Sequence, residues 1–470
     1  MSSLSSATIW YTISNLFIRS IGFLLLPLYS NLITAAGFGD YALIMSCYAI
    51  AAVLYQAGLQ SALSKYYLET TDEIKKKAIF SNIFNVTFLL GAILTSLIIF
   101  SSGFFSTILF GFSDLSGLIN IAFICLFFES LSSLVAHLLK TREEVKKIVL
   151  LSAVAALINF MLNILFVYYL RLGVKGILLA QLFSSIAFLL LLLPALRENY
   201  VFKFDRDLSG IFIRFSLPLV IAGLLSASVD VIDRFIINHF LGNKDVGVYS
   251  FSYRIALIMN IFVISLRSSW TPYSIKLFNS GNYSSEFGKS FTKILSACLV
   301  IFLVVSIFAD DLFKIRIGNS NLFNKNYLPG IQIIPIVMLA YLFNALISFF
   351  SLYPYVSGKS FHFLYSDLIA LTSNLTFNLI LIPDFGIIGA ACSTLISFLF
   401  GFIYLFIISF NKVKINFEVY KVIIIIVITG LFYLISKSFN IFLVDLFIIS
   451  SAILFMFKFS QLKSGVIRKL

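Results

Sequence analysis

Long apolar runs, separated only by short polar joints, occupy the chain from residue 8 to residue 458. A bilayer-spanning segment needs about 20 mostly apolar residues, because every backbone N–H and C=O must find its partner inside the segment. By that rule the pattern predicts about fourteen helices. They cover residues 8–32, 41–62, 79–101, 116–139, 147–170, 174–195, 211–239, 246–270, 289–309, 328–352, 362–383, 386–409, 419–437 and 440–458. The longest joints, near 64–78 and 310–327, run to about 15 residues, too short to enclose a core. The expected fold class is all-α and polytopic, with nearly all of the 470 residues spent in the membrane. Met1–Thr8 has no basic run and no small-residue cleavage site follows the first apolar stretch, so that stretch is expected to remain a span.

The pattern also repeats. Residues 159–180 read NFMLNILFVYYLRLGVKGILLA and residues 374–393 read NLTFNLILIPDFGIIGAACS. Asn159 and Asn163 match Asn374 and Asn378; Gly173 and Gly176 match Gly386 and Gly389. A second pair is NLITAAGFGDYALIMSCYAI (31–50) and NHFLGNKDVGVYSFSYRIAL (238–257), where Asn31, Gly39 and Tyr41 align with Asn238, Gly247 and Tyr249. Two six-helix lobes follow, 1–200 and 201–411, with two additional helices and a basic tail in 412–470. Six is even, so both lobes enter from the same side, and the repeat is parallel, with its pseudo-twofold axis along the membrane normal. Lobes so related can rock about a central cavity, which is the architecture of a transporter. The glycines stand where one helix ends and the next begins, at reversals that favour positive φ and close backbone approach. Each Asn pair, at i and i+4, shares a helix face and is expected to bond a neighbouring helix or to contact cargo.

Composition sharpens the class. Hydrophobic residues make up 60% and charged residues 12%, and the mean hydropathy is +1.02. The net charge of +13 would suggest nucleic acid in a soluble chain, but here it marks topology. With the N-terminus cytoplasmic, about 22 Lys and Arg fall in cytoplasmic joints and tails against about 7 outside. Lys75, Lys76 and Lys77, Lys140, Arg142, Lys146 and Lys147, Arg197, Lys203 and Arg206, Lys412 and Lys414, and Lys463, Arg468 and Lys469 form the cytoplasmic groups. Both termini are therefore expected inside, and part of the surplus can hold anionic lipid headgroups. Cys47, Cys125, Cys298 and Cys392 lie far apart within apolar helices and are expected as free thiols, with no metal or redox spacing.

A charge at mid-bilayer costs at least about 2.5–3.5 kcal/mol, so each embedded one calls for a partner or a wet cavity. Arg19 sits near the middle of the first helix, too deep to snorkel, and reads as a cavity residue or a structural ion pair. Arg254 and Arg267 share the eighth helix on different faces, the second close enough to its end to snorkel. On the seventh helix, Asp230 and Arg234 are spaced to pair, leaving Asp233 without a local partner, to meet a basic residue across the cavity or to bind a coupling H⁺ or Na⁺. Glu129 and His137 share one face of the fourth helix, as parts of a proton relay or, for His137, as an interfacial residue. Asp367 is a second-lobe candidate for cation coupling. Pro27, Pro218 and Pro335 are expected to kink helices 1, 7 and 10.

With LPLYSNLITAAGFGDYALIMSCYAI early and DRFIINHFLGNKDVGVYSFSYRIAL after the midpoint, in a chain of two six-helix lobes plus two helices, the sequence resembles the polysaccharide transporter family. These are Wzx-type O-antigen and capsule flippases of the multidrug/oligosaccharidyl-lipid/polysaccharide superfamily. The resemblance implies that the chain moves an undecaprenyl-pyrophosphate-linked oligosaccharide to the outer leaflet of the bacterial inner membrane by alternating access. It implies a cationic cavity for pyrophosphate and sugar, to which Arg19, Arg254 and Arg267 are matched as guanidinium forks for phosphate. It also implies membrane lipids as partners and, as further partners, a polysaccharide polymerase and a chain-length regulator, with no nucleic acid and no cofactor beyond a coupling H⁺ or Na⁺.

Two transporter alternatives stay open. A cation-coupled multidrug exporter shares the two lobes but normally stops at twelve helices and would want an acidic cavity. A lipid II flippase has fourteen helices and is poorly separated by sequence. A polymerase or glycosyltransferase commonly carries a large external loop or an acidic catalytic motif. The chain has neither, and no phosphate loop, metal cluster or nucleophile–base pair stands in its joints. The expectation is a transporter, not an enzyme, with no catalytic residue.

Overall fold

In the computed structural model, residues 21–110, 115–202, 204–279, 281, 283–318, 320–359, 361–410, 412–439, 445 and 449–452 are described. The helices of the first half are α1 (Leu26–Leu32), α2 (Ala35–Gln56), α3 (Leu59–Glu69), α4 (Glu73–Phe110), α5 (Ser116–Thr141), α6 (Val145–Asn163), α7 (Gly173–Leu191), α8 (Leu193–Asn199) and α9 (Arg206–Leu241). Then come α10 (Asn243–Asn279), α11 (Ser284–Lys314), α12 (Ile333–Phe350), α13 (Leu352–Ser357), α14 (Phe361–Phe410) and α15 (Val419–Phe439). A π-helical stretch, Ile164–Tyr169, extends α6. The expected 310–327 joint holds two-residue strands β1 (Arg316–Ile317) and β2 (Ser320–Asn321), antiparallel with Arg316 opposite Asn321, and then a 3-10 helix, Lys325–Gln332.

Among the described residues, 11 helices are long and apolar enough to cross a membrane, and Ile21–Leu32 is a shorter apolar helix. One of the eleven, α14, carries two expected spans, 362–383 and 386–409, which meet at Gly386. The chain is an all-α, multi-pass membrane protein. Its expected first span is described only from residue 21, and most of the expected last span, 440–458, lies outside the described residues, as does the basic tail.

Contacts divide the chain into two compact units, Met1–Gly247 and Val248–Leu470. In the first, α2 packs on α5 and α9, and α5 packs on α4 and α7. Its core joins Leu63, Phe80, Leu134, Val135, Leu138 and Phe212, from α3, α4, α5 and α9. The second unit is built on α12 against α14 and on α11 against α12 and α15. There the Trp270 ring stacks on Phe349 with centroids 4.6 Å apart, and Phe251, Phe313, Phe323 and Tyr327 form an aromatic cluster.

Local chemistry sets the helix ends. Thr34 caps α2 by accepting from the Gly37 N–H, and Asp205 caps α9 by accepting from Asp207 and Leu208. Ala57 and Gly58, both at positive φ, separate α2 from α3. Gly173 (φ 56) and Gly386 (φ 58) take the left-handed conformation that the reversals were expected to require. Three residues on, a Cβ at Gly176 would stand 3.0 Å from the Phe166 carbonyl oxygen, and one at Gly389 would stand 2.3 Å from that of Leu381. Gly39 and Gly247, matched by the repeat, touch one another: a Cβ on Gly247 would lie 2.9 Å from the Gly39 nitrogen, and one on Gly39 would lie 1.8 Å from the Asn243 carbonyl oxygen. The first turns of α2 and α10 cross there, beside an Asn243–Asp40 hydrogen bond of 2.8 Å.

The prolines behave unequally. Pro27 stands in the first turn of α1, just after a break at Leu25, and Pro218 is inside α9. Pro335 does not interrupt its helix as expected. It is the third residue of α12, where no intrahelical N–H bond is needed, so proline is tolerated.

Candidate functional site

Serine, asparagine and glutamine are costly among apolar helices unless they bond one another or line a wet space. In the N-terminal unit such residues gather on α3, α5, α6 and α7 around a cavity of about 460 Å³. On α5, Glu129, Ser132, Ser133, Ala136, His137 and Lys140 recur at helical spacing, so one face of that helix turns to the cavity. Gln60 comes from α3, Ser152 and Asn159 from α6, and Gln181, Ser184 and Ser185 from α7.

Along α5 the stripe runs from a carboxylate through an imidazole to an ammonium in about three turns, about 16 Å. Glu129 is half-buried, and the Tyr48 hydroxyl on α2 donates to its carboxylate. A carboxylate that accepts from a phenol hydroxyl beside a polar cavity can attract a small cation. The His137 Nε2 lies 2.7 Å from the Ser64 Oγ on α3, and Lys140 is exposed at the end of the stripe. Around the rim, Gln60 donates to Ser133 at 3.2 Å and the Cys125 thiol lies 3.4 Å from the Ser185 hydroxyl.

Asn159 and Asn163 tie this wall together. The Tyr29 hydroxyl on α1 donates to the Asn163 Oδ1 at 2.8 Å. The Asn163 Nδ2 donates to the Asn159 Oδ1 at 3.1 Å, and the Asn159 Nδ2 donates to the Ser184 Oγ on α7 at 3.0 Å. The first Asn pair is therefore a bridge across three helices, and one of its ends lines the cavity.

The remaining expected site residues fall elsewhere. Arg19 lies outside the described residues. Arg254 is half-buried on α10. Arg267, exposed on the same helix, donates from Nε to the Ser348 Oγ at 3.1 Å and from Nη2 to the Asn344 Oδ1 at 2.9 Å, both on α12. Asp367 on α14 is half-buried and within electrostatic reach of Arg267. On α9 the expectation for Asp233 is corrected. Asp233 is buried and does have a local partner, the Arg234 guanidinium at 2.9 Å; the same guanidinium donates to the Asp230 carbonyl oxygen. The arginine folds back over the preceding turn, and there it reaches the adjacent carboxylate as well as the residue one turn away. Of the residues at this cavity, the sequence singles out Glu129 and His137 as candidates, passes over Gln60, Gln181 and Ser184 and the Tyr48 that bonds Glu129, and marks Lys140 only for topology. The polar stripe along the otherwise apolar α5 was the available signal.

Residues 4–278 match the sequence model of the family described as polysaccharide biosynthesis protein. No curated protein matches the chain in sequence. Among solved structures, the chain is similar to the lipid II flippase MurJ in an inward closed conformation, at a TM-score of 0.77 and 17% identity over 97% of both chains. It is also similar to an inward-facing multidrug resistance MATE family transporter of the MOP superfamily, at a TM-score of 0.66 and 15% identity over 85% of this chain and 98% of that one. At such identities the likeness establishes the fold.

Proposed function

We propose, for a chain that belongs to the polysaccharide biosynthesis protein family, that it is a flippase for an undecaprenyl-pyrophosphate-linked oligosaccharide. It works by alternating access in the bacterial inner membrane with both termini cytoplasmic, and it does no covalent chemistry on its cargo. Family membership is the observation that carries this reading. In it, Arg267 offers a planar fork to pyrophosphate: Nε and Nη2 are held by Ser348 and Asn344, which fixes the plane of the group before cargo arrives. Arg19 and Arg254 are its proposed companions. Glu129 is assigned to cation coupling by H⁺ or Na⁺ ahead of Asp233 and Asp367, because it lines a cavity while the other two have arginines beside them. A polymerase and a chain-length regulator would receive the delivered cargo.

The test uses purified protein in vesicles carrying a fluorescent undecaprenyl-pyrophosphate oligosaccharide, with leaflet transfer read by quenching from outside. Wild type is expected to transfer it. Arg267→Lys, which keeps the charge and loses the fork, is expected to slow transfer about tenfold at an unchanged melting temperature. Glu129→Gln is expected to remove the dependence on an imposed H⁺ or Na⁺ gradient. Folded wild type that leaves the oligosaccharide in place while moving a cationic dye would overturn the reading. The second reading, a lipid II flippase, draws on the fold likeness over 97% of both chains; transfer of lipid II in preference to the oligosaccharide would establish it.

A further inference from the structure

A second cavity, of about 590 Å³, lies in the N-terminal unit between α4 and α9, and its chemistry is unlike that of the first. Its walls are apolar: Leu89 and Ile93 on α4 and Ile213 and Leu217 on α9, each at least half exposed. Among the described residues one charged side chain lines it, the exposed Arg206 in the first turn of α9. The preceding joint is fastened to α4, which holds that arginine in place. Ser81 accepts from the Val201 N–H at 2.8 Å, Asn82 from the Asp205 N–H at 2.6 Å, and Asn85 from the Tyr200 hydroxyl at 2.9 Å. A Cβ added to Gly210 would meet nothing within 4 Å, so the α9 side of the groove is left open by the lack of a side chain there.

We propose that this groove is a binding site for an anionic phospholipid, with one acyl chain along the α4–α9 seam and its phosphate on Arg206. The lining of α9 extends from Arg206 to Val220, about 21 Å of helix. The hydrocarbon of one leaflet is about 15 Å deep, half of a core of about 30 Å. The groove therefore suits one acyl chain with its headgroup, not the several-fold longer tail of a polyprenyl carrier. Charge fits as well: an apolar seam with a guanidinium at its end complements an amphiphile that ends in a phosphate.

The experiment is native mass spectrometry of the purified full chain with phosphatidylglycerol or phosphatidylcholine of matched acyl chains. Wild type is expected to retain phosphatidylglycerol in preference. Arg206→Gln is expected to lower that retention about fivefold, the factor that corresponds to about 1 kcal/mol for one basic residue near an anionic headgroup. Gly210→Trp fills the seam and is expected to lower retention of both lipids, at an unchanged elution volume and melting temperature. Should Arg206→Gln fail to fold, Arg206→Lys takes its place, with the preference for phosphatidylglycerol expected to persist. Equal retention by wild type, Arg206→Gln and Gly210→Trp would overturn the proposal. So would displacement of bound phosphatidylglycerol by equimolar undecaprenyl phosphate.

Discussion

Asn159 and Asn163 in the N-terminal unit, and Asn374 and Asn378 in the C-terminal unit, occupy matching places in the repeat, and in both the second amide donates to the first carbonyl, at 3.1 Å and 2.8 Å respectively. The outer atoms differ. In the first pair the free amide reaches Ser184 and the free carbonyl accepts from Tyr29. In the second pair the Asn374 Nδ2 and the Asn378 Oδ1 are buried and have no hydrogen-bond partner among the described residues. Ser397 stands where the repeat places Ser184, but its hydroxyl donates to the Ala370 carbonyl and is not joined to Asn374. One inherited motif thus became a satisfied bridge on a cavity wall in one unit. In the other it became a fully enclosed pair with two unmet polar atoms. A repeat conserves where a side chain stands, while its partners are set by residues that diverge independently.

The glycines beside these pairs give the sharpest way to break the comparison. A methyl at Gly389 would stand 2.3 Å from a backbone oxygen, a distance that forces the chain to move, whereas at Gly176 the corresponding distance is 3.0 Å. Gly389→Ala is expected to cost about 3 kcal/mol, the upper end for overpacking, and Gly176→Ala about 1 kcal/mol. Thermal unfolding of both variants in the same detergent checks the order, and equal melting points would mean that the two reversals are equally tight.

How much of this was legible depends on which force decides. Apolar length fixed the existence of the spans, and glycine's lack of a Cβ fixed the reversals at Gly173 and Gly386, because both are local. Several helix ends were set too short, while the expected span 328–352 was set too long against Ile333–Phe350. The expected span 41–62 is part of a longer helical stretch, Ala35–Gln56 and Leu59–Glu69, and 289–309 lengthens to Ser284–Lys314. Hydropathy marks where the hydrocarbon ends, and a helix continues beyond it as long as its backbone bonds hold. At the candidate site, Glu129 and His137 were legible because helical spacing places them on one face of α5. Gln60 and Gln181 were not, since each stands on another helix and only tertiary packing turns it to the same cavity, and the same packing brings the Tyr48 hydroxyl to Glu129.

The next prediction concerns the satisfied pair. The double variant Asn159→Leu and Asn163→Leu removes the bridge and strips partners from Tyr29 and Ser184. Hydrogen bonds between membrane helices average about 0.6 kcal/mol, with a maximum near 1.7, so a loss of about 1–2 kcal/mol is expected, read as a lower melting temperature.

The smallest effect is expected from the matching double variant, Asn374→Leu and Asn378→Leu. Two terms act in opposite directions. The variant loses the one hydrogen bond within the pair, worth about 0.6 kcal/mol. It also removes two buried polar atoms without partners, each of which costs about 1–3 kcal/mol in the folded protein. Leucine is close to asparagine in length and differs mainly in exchanging polar atoms for methyl groups, so the transfer term favours the variant. The sum predicts a melting temperature equal to or above that of wild type, opposite in sign to the change in the N-terminal unit. A fall as large as that caused by the Asn159 and Asn163 substitutions would show that the two pairs do equal structural work, and the contrast between the units would then lie in the glycines alone.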